Sequence, residues 1–238
     1  MTLFIYPEIG EEVLRIREPL IHAIVVSRPN RFLVIAEING KEITVHLHDP
    51  GRLRELIYPG AEVLLRKTHG DRTDYSITAA EKGGETILLD TRFHNEIGKR
   101  FISEPTGSEV KYGDSRFDFS ANGGFVEIKG CTMQIGDYVI FPDAPSVRGT
   151  KHLTELSSLK RNGRASGVIF LIFRWRASYF YPNRVTDQKF AAAFFQAYTT
   201  GVEMTFPKFQ MEQNSIIFQG MLTLGPDPTN IFLDMKKH

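Results

Sequence analysis

The pair Asn122-Gly123 joins two short stretches in which apolar and polar residues alternate. Asn-Gly is the favoured sequence of a two-residue type I′ turn, because both residues tolerate positive φ, so the segment predicts a β-hairpin. The turn also fixes the register, which places Asp118 opposite Glu127 and Arg116 opposite Lys129. The other face of the predicted hairpin is apolar and carries Phe117, Phe119, Val126 and Ile128.

The two opposed carboxylates of this hairpin need a compensating charge. The Cβ atoms of directly paired residues lie only ~5 Å apart, and like charges so placed are destabilising. A hard divalent cation such as Mg²⁺ or Mn²⁺ would offset the repulsion between Asp118 and Glu127 and would polarise a phosphoryl oxygen. Lys129 would then be catalytic, by orienting the attacking water or by stabilising charge on the phosphate. The alternative is a charged ladder facing solvent, in which Arg116 and Lys129 neutralise the acids.

The first third of the chain has the pattern of a small barrel. Five short β-type segments, the hairpin signal Asn39-Gly40 and a short helical segment at Gly51–Leu56 fit an OB-like fold. The predicted strands span residues 21–26, 32–38, 41–47, 61–67 and 75–80. The glycine-containing segment Lys82–Glu85 predicts a domain boundary. Two domains are therefore expected, an OB-like domain at residues 1–84 with the fold of a nucleic-acid-binding module and an α/β domain at residues 85–238.

The second part of the chain alternates helices and strands. A helix capped by Thr91 comes first, with Phe93, Ile97 and Phe101 on one face. Helices are also predicted at residues 150–161 and 187–198, and strands at residues 109–112, 116–120, 125–129, 168–173, 202–206 and 216–224. Because Val168–Phe173 is apolar throughout, a central strand covered on both faces is expected there. The order predicts the α/β (α+β) class, with a mixed sheet flanked by helices.

The composition restricts the cellular compartment and the classes of binding partner that can be expected for this chain. A single cysteine, Cys131, excludes an intrachain disulfide and is expected to be a small buried residue. The N-terminal residues show no secretory signal, and the longest apolar run is too short for a bilayer, so a cytoplasmic protein without a membrane partner is expected. The net charge is +1, but residues 146–189 hold nine Lys and Arg against two acids. This excess indicates either a phosphate-binding surface or a solvated helix face.

Two groups of residues are candidates for contact with nucleic acid. The first group falls in the predicted barrel loops, the usual nucleic-acid face of an OB-fold, and comprises Arg28, Arg31 and Arg52. The second comprises Arg148, Lys151 and His152 near a predicted helix N-terminus, where backbone N–H groups could receive a phosphate. A surface histidine at that position needs no function, however. The expected partner is nucleic acid, with DNA favoured, and the sequence is compatible with a homodimer.

Several segments resemble known families. Asp118, followed nine residues later by Glu127 and then by Lys129, resembles the core of the PD-(D/E)xK nucleases. A longer set of segments is similar to the sugar fermentation stimulation protein A family: Arg28–Phe32, His48–Leu53, Ser108–Gly113, Arg116–Asp118, Glu127–Lys129, Phe141–Ala144 and Arg148–Leu156. This resemblance implies an OB-like N-terminal domain, a nuclease-type C-terminal domain and DNA binding. A regulatory role in sugar utilisation has been proposed for the family. A metal-dependent endonuclease and a DNA-binding regulator with a silent site are therefore the alternatives.

The remaining polar residues leave a few choices open. Many PD-(D/E)xK nucleases keep an acid on their first helix, where this chain offers Glu96, and Glu109 on the first strand is the alternative catalytic helper. Asp143 could reach a metal through water, although a turn-forming role is commoner after proline. His46 and His48 share a strand face without a third ligand nearby, so they are expected to be exposed polar residues. The sequence has no obvious glycine-rich nucleotide loop, which counts against an enzyme for a small phosphorylated molecule.

Overall fold

The computed structural model describes residues 2–68, 73–228 and Phe232. Its helices are α1 (His94–Lys99), α2 (Val147–Arg161) and α3 (Gln188–Thr200), and a 3₁₀ turn at Thr91–Phe93 precedes α1. Its strands are β1 (Glu12–Arg15), β2 (Leu20–Ser27), β3 (Leu33–Ile38), β4 (Lys41–His46), β5 (Glu62–Lys67), β6 (Tyr75–Lys82), β7 (Glu85–Leu88), β8 (Pro105–Tyr112), β9 (Ser115–Ala121), β10 (Gly124–Cys131), β11 (Gln134–Ile135), β12 (Tyr138–Phe141), β13 (Ser166–Ile172), β14 (Tyr179–Pro182), β15 (Glu203–Thr205), β16 (Pro207–Glu212), β17 (Ser215–Met221) and β18 (Thr223–Leu224).

The first sheet is the predicted OB-like barrel. It has six strands in the order β4-β3-β2-β5-β6-β7, and an additional parallel pairing of His46 with Ser76 links β4 back to β6. Asn39 and Gly40 both have positive φ, as a type I′ hairpin between β3 and β4 requires. All five predicted barrel strands are therefore confirmed.

Two details of this region differ from the prediction. Gly51–Leu56 contains no helix, because Leu53 takes a φ of +46° and its N–H donates to Asp143 rather than to the preceding turn. The pair Gly83-Gly84 is the turn of the β6–β7 hairpin, so the barrel sheet continues to Leu88. In addition, β1 pairs with β17 of the second sheet, so the first residues of the chain do not belong to the barrel alone.

The second sheet is mixed, as predicted. Its eight strands follow the order β1-β17-β16-β13-β10-β9-β8, with β15 also paired to β13. Strand β13 is buried along its whole length and runs parallel to β10, which confirms the central strand expected at residues 168–173. A third, four-stranded sheet has the order β11-β12-β14-β18. Strands β1, β7, β11, β12, β14 and β16 were not predicted from the sequence.

Helices cover the second sheet on one side, and the barrel packs on the other. Leu153, Leu156 and Leu159 of α2 are buried with Phe190 and Phe194 of α3 against the sheet, and both helices predicted in this part of the chain are confirmed. The opposite cluster joins the barrel core to residues of β9 and β10 without interruption. No helix within the described part of the chain is long and apolar enough to cross a membrane.

The predicted hairpin register holds for only part of its length. Asn122 and Gly123 have positive φ, Ala121 pairs with Gly124, and Phe119 pairs with Val126. The backbone pairing of β9 with β10 ends at Phe119 and Val126. The predicted pairing of Asp118 with Glu127 and of Arg116 with Lys129 is therefore wrong, because these residues are not paired in the backbone ladder. The expected apolar face is also split between two clusters: Phe117 packs under α2 and α3, whereas Phe119, Val126 and Ile128 face the barrel.

Candidate functional site

Glu127 is a buried carboxylate in the middle of the second sheet. Its side chain is only 4% exposed and contacts the ammonium of Lys129 and the imidazole of His152, whose Nδ1 lies 2.6 Å from Glu127 Oε1. Burial alone would raise the pKa of Glu127, but the charges and hydrogen bonds of Lys129 and His152 hold that pKa below its ordinary value. The second oxygen, Oε2, is buried without a hydrogen-bond partner among the described residues. Glu127 is therefore ionised and keeps one acceptor free.

Asp118 lies beside Glu127, although the two residues are not paired in the ladder. The Ile128 N–H donates to Asp118 Oδ2 at 2.7 Å, so a carboxylate replaces the backbone acceptor at the point where β9 and β10 separate. Burial first, and then the nearby charge of Glu127, raise the pKa of Asp118 to about 6. The repulsion between two acids that the sequence indicated is therefore present, with a geometry that the turn alone did not predict.

His152 differs most from its predicted role. It was expected near an exposed helix N-terminus, as a nucleic-acid contact, but it is only 2% exposed. Helix α2 begins at Val147, capped by Ser146, whose Oγ accepts the Gly149 N–H at 3.1 Å. His152 therefore lies on the buried face of α2, where its ring is 5.4 Å from that of Phe117. His152 precedes buried Leu156 by four residues, a spacing that puts both on the same face of a helix and could have predicted the burial of His152.

The two candidates for a third acid differ in position. Glu109 has a φ of +52° and falls between the pairs Ser108–Phe119 and Val110–Phe117, opposite Asp118. It is exposed, contacts Asn95 and Arg116, and adds to the rise in the Asp118 pKa. Glu96 is also exposed but lines a different hollow, beside Ile5 and Tyr6. Glu109 is thus the acid that accompanies Asp118.

A cleft of about 1000 Å³ lies between the barrel loops and the second sheet, and Asp118, Glu127 and Lys129 form part of its wall. Cations outnumber acids among the described lining residues. The cations are Arg28, Arg31, Arg52, Arg54, Arg92, Lys129 and Arg148. The acids are Asp49, Asp118, Glu127 and Asp143. A cavity with this surplus of positive charge attracts polyanions.

The cationic residues predicted as nucleic-acid contacts divide into three kinds. Arg31, Arg52 and Arg148 are exposed and line the cleft. Arg28 donates instead to the carbonyl oxygens of Arg31, Gly51 and Arg52, so it holds the two barrel loops together. Lys151 is exposed, outside the lining of the cleft, and its Nζ donates to the carbonyl oxygen of Asp114.

Sequence reasoning missed several lining residues, among them Arg54, Arg92, His94 and Asn95. Arg92 carries the clearest functional signal in the structure. Its side chain is 39% exposed, and its guanidinium is anchored at 2.7 Å on the fully buried carboxylate of Asp90, which also binds Arg66. An arginine fixed in this way presents its remaining donors to the cleft. Its partner Asp90 lies only two residues earlier in the chain and caps the 3₁₀ turn, so the Asp90–Arg92 pair was the local signal available in the sequence.

Asp143 connects the second sheet to the barrel. Its Oδ2 accepts the Leu53 N–H at 3.1 Å, while Asp49 Oδ1 accepts the Gly51 N–H at 2.7 Å. A Cβ on Gly51 would lie 2.5 Å from one of these carboxylates and 2.8 Å from the other, so only glycine fits between them. Asp143 was predicted as a turn residue or a water-mediated metal ligand, and the structure gives it this third role.

Asp49→Asn is expected to raise the free energy of unfolding at pH 7 by ~1–3 kcal/mol. Burial, and then the neighbouring Asp143, raise the Asp49 pKa to about 6. Ionisation of Asp49 therefore opposes folding, and this penalty is absent below pH ~4 and complete above pH ~6. Asn can still accept the Gly51 N–H. Urea unfolding at pH 4 and pH 7 measures the effect, with exposed Glu42→Gln as control, and equal effects at both pH values would contradict it.

The structure thus combines an OB-like barrel with a mixed α/β sheet. Residues 26–89 match the SfsA N-terminal OB domain, and residues 87–215 match the sugar fermentation stimulation protein RE domain. The chain belongs to the sugar fermentation stimulation protein family, which confirms the resemblance noted in the sequence.

Relatives of similar length support this membership. A homolog from Saccharolobus solfataricus is 44% identical over 219 residues, covering 92% of this chain and 91% of its own. One from Thermoplasma volcanium is 42% identical, covering 87% of this chain and 96% of its own. Among solved structures, SfsA of Pyrococcus furiosus in complex with Ca²⁺ superposes with a TM-score of 0.83 at 28% identity, covering 91% of this chain and all of that one.

Proposed function

We propose that the protein is a metal-dependent phosphodiesterase that acts on nucleic acid, with DNA favoured, and that Asp118 and Glu127 hold a Mg²⁺ or Mn²⁺ ion. The observation that carries the proposal is the buried Oε2 of Glu127, which has no partner among the described residues and lies near a second carboxylate. A buried, unpaired carboxylate oxygen is costly unless a ligand satisfies it. A divalent cation would satisfy both acids at once.

The donor set fits a hard cation with few protein ligands. Mg²⁺ is usually bound by one or two carboxylates together with waters and substrate phosphates. Within the described residues no group of three or more His, Cys, Asp or Glu side chains has metal-ligand geometry, so the remaining ligands would come from solvent and substrate. The P. furiosus protein was solved in complex with Ca²⁺, which is also an oxygen-seeking cation and supports the proposal.

Each residue of the site has a separate task in this proposal. A bound divalent cation would supply a Lewis acid that polarises a phosphoryl oxygen and makes water more acidic. Lys129, whose ammonium contacts Glu127, places a positive charge where negative charge develops on the phosphate. His152 contacts Glu127 Oε1, so Oε2 would be the oxygen available to a bound cation. Arg31, with the other exposed arginines of the cleft, would bind the flanking phosphates.

A DNA-binding regulator with a silent site is the second candidate. It is favoured by the contacts among Glu127, Lys129 and His152, which form an ionic cluster within the protein itself. Such a cluster could be structural, with the arginines of the cleft providing the binding. Cleavage assays on single-stranded, duplex and branched DNA and on RNA, with and without Mg²⁺ or Mn²⁺, separate the two functions.

Millimolar Mg²⁺ or Mn²⁺ is expected to raise the melting temperature of the wild-type protein, since an ion that binds only the native state stabilises it by mass action. A concentration of ~100 times Kd contributes ~2.7 kcal/mol, and each kcal/mol raises the melting temperature by ~2–4 °C in a chain of this size. Asp118→Asn should abolish the shift. Glu96→Gln, which changes an exposed acid outside the cleft, should retain it. If metal does not raise the melting temperature of the wild type, or raises that of Asp118→Asn equally, Asp118 and Glu127 are not the metal ligands.

A further inference from the structure

Three aromatic rings form a small cluster on the barrel, at the end of β4 and the start of β3. Phe32 is 44% exposed, and its ring lies parallel to that of His46, at an interplanar angle of 8° and a centroid distance of 6.3 Å. The ring of His46 in turn meets that of His48 edge-on at 4.2 Å. Phe32, His46 and His48 are called the ring cluster below. An exposed phenylalanine supported in this way offers a flat apolar face to solvent.

The ring cluster is held in place by the loops around it. Asn30 Oδ1 accepts the N–H groups of both Phe32 and Leu33, at 2.9 and 3.0 Å, which fixes the backbone at the start of β3. His48 Nε2 lies 3.3 Å from the hydroxyl of Ser76. The backbone of Phe32 and the ring of His48 are therefore held by hydrogen bonds, so little order would have to be gained on binding.

The ring cluster adjoins the cleft. Phe32 directly follows Arg31 and His48 directly precedes Asp49, and both of these neighbours line the cleft. The hydroxyl of Thr91, another lining residue, donates to the carbonyl oxygen of His48 at 3.3 Å. A chain that rests on the rings is thus beside the cations that lead towards Asp118 and Glu127.

The two histidines are uncharged at neutral pH. Burial, and then the positive charge of Arg92, lower the His48 pKa to about 4 and also lower the pKa of His46. Neutral imidazoles do not attract phosphate by charge, and His48 Nε2 is already used by Ser76. The ring cluster therefore offers an uncharged aromatic surface to a ligand, whereas Arg31 and Arg92 offer positive charge.

We propose that the ring cluster is a stacking site for an unpaired base, so that the substrate of the cleft is a nucleic acid with a single-stranded segment. This inference rests on the proposed function. The faces of bases inside a duplex are covered by neighbouring base pairs, whereas an unpaired base has a free face that stacks on an aromatic side chain. Arg31 and Arg92 bind the phosphates on either side of that base, and the strand continues into the cleft.

The test compares affinities of the full-length protein in EDTA for a DNA strand, its RNA equivalent and the corresponding DNA duplex. Phe32→Ala is expected to weaken binding of single strands about tenfold, which is ~1.4 kcal/mol, within the range for loss of one stacked base. Affinity for the duplex should change less than about twofold. Phe32→Tyr should restore the wild-type value. Tyr198→Ala, which removes a ring that is 50% exposed on α3, is the matched control and should have no effect.

A fluorescent adenine analogue placed along the single strand gives a second readout, because stacking on Phe32 quenches its emission. Quenching should occur in the wild type and be lost in Phe32→Ala, while the melting temperature stays within a few degrees because Phe32 is 44% exposed and lies outside the core. The proposal of a stacking site is overturned if Phe32→Ala binds single strands as tightly as the wild type. It is also overturned if the substitution lowers the affinity for single strands and for the duplex equally. If the wild type binds no nucleic acid at all, the proposed function itself fails. Comparison of the affinities for the DNA strand and the RNA strand shows whether deoxyribose or ribose is preferred.

Discussion

Lys129→Ala is expected to reduce metal-dependent cleavage by about 10²–10³-fold while DNA affinity stays within about threefold of the wild type. The ammonium of Lys129 contacts Glu127, and its side chain is only 16% exposed, so under the proposed function it would act beside the metal and not along the flanking strand. A preorganised positive charge in a water-poor site stabilises the transition state more than the ground state. Rates at saturating DNA, measured beside gel-shift affinities, separate the two effects.

Two further variants define what this result means. Lys99→Ala removes an exposed lysine from α1 outside the cleft and should change neither rate nor affinity. Arg31→Ala should show the opposite pattern to Lys129→Ala, with weaker binding and a salt slope that falls by about one unit. If the wild type binds DNA but cleaves none of the tested forms with Mg²⁺ or Mn²⁺, the regulator is the better description. If Lys129→Ala loses affinity and rate together, the lysine is only a phosphate contact.

Local patterns predicted the elements that carry the site. The Asn122-Gly123 turn, the alternation around it and the apolar run of β13 depend on residues close in sequence, so the barrel, the hairpin and the central strand were all predicted. The same reasoning singled out Asp118 and Glu127, whose carboxylates lie near each other in the structure. Short strands such as β11 and β12 were missed, because two to four residues carry no measurable periodicity.

The parts of the site that the sequence did not predict depend on contacts between distant segments. The register of the hairpin fails after Val126 because the Asp118 side chain takes the Ile128 N–H that the ladder would have used. His152 was misplaced because the helix cap lies at Ser146, several residues before the predicted start. The hydrogen bond from the Leu53 N–H to Asp143, which lines the cleft, joins segments 90 residues apart, and no local pattern encodes it.

Glu127→Ala is expected to lower the free energy of unfolding at pH 7 by ~3 kcal/mol in the absence of metal. The substitution leaves the Lys129 ammonium and the His152 ring, which are 16% and 3% exposed, without their common partner. Removing one member of a buried ion pair strands the charge of the other. Urea unfolding in EDTA measures the loss. Glu109→Ala, which removes an exposed acid, should cost less than ~0.5 kcal/mol.

Substitution of the two proposed metal ligands should change the free energy of unfolding in opposite directions, and the size of each change should depend on pH. The pKa of Glu127 is lowered, so its stabilising contribution is present above the ordinary glutamate pKa of 4.5 and is lost as the pH falls through the folded-state value. The pKa of Asp118 is raised to about 6, so its ionisation opposes folding and Asp118→Asn should stabilise the metal-free protein at pH 7. The Asp118 effect should largely disappear by pH ~4, near the ordinary aspartate pKa of 3.8, whereas the Glu127 effect should disappear only below the lowered folded-state pKa of Glu127. Equal destabilisation by both substitutions at pH 7 would show that Asp118 is a structural partner of the Ile128 N–H, and that the repulsion offset by a cation is absent.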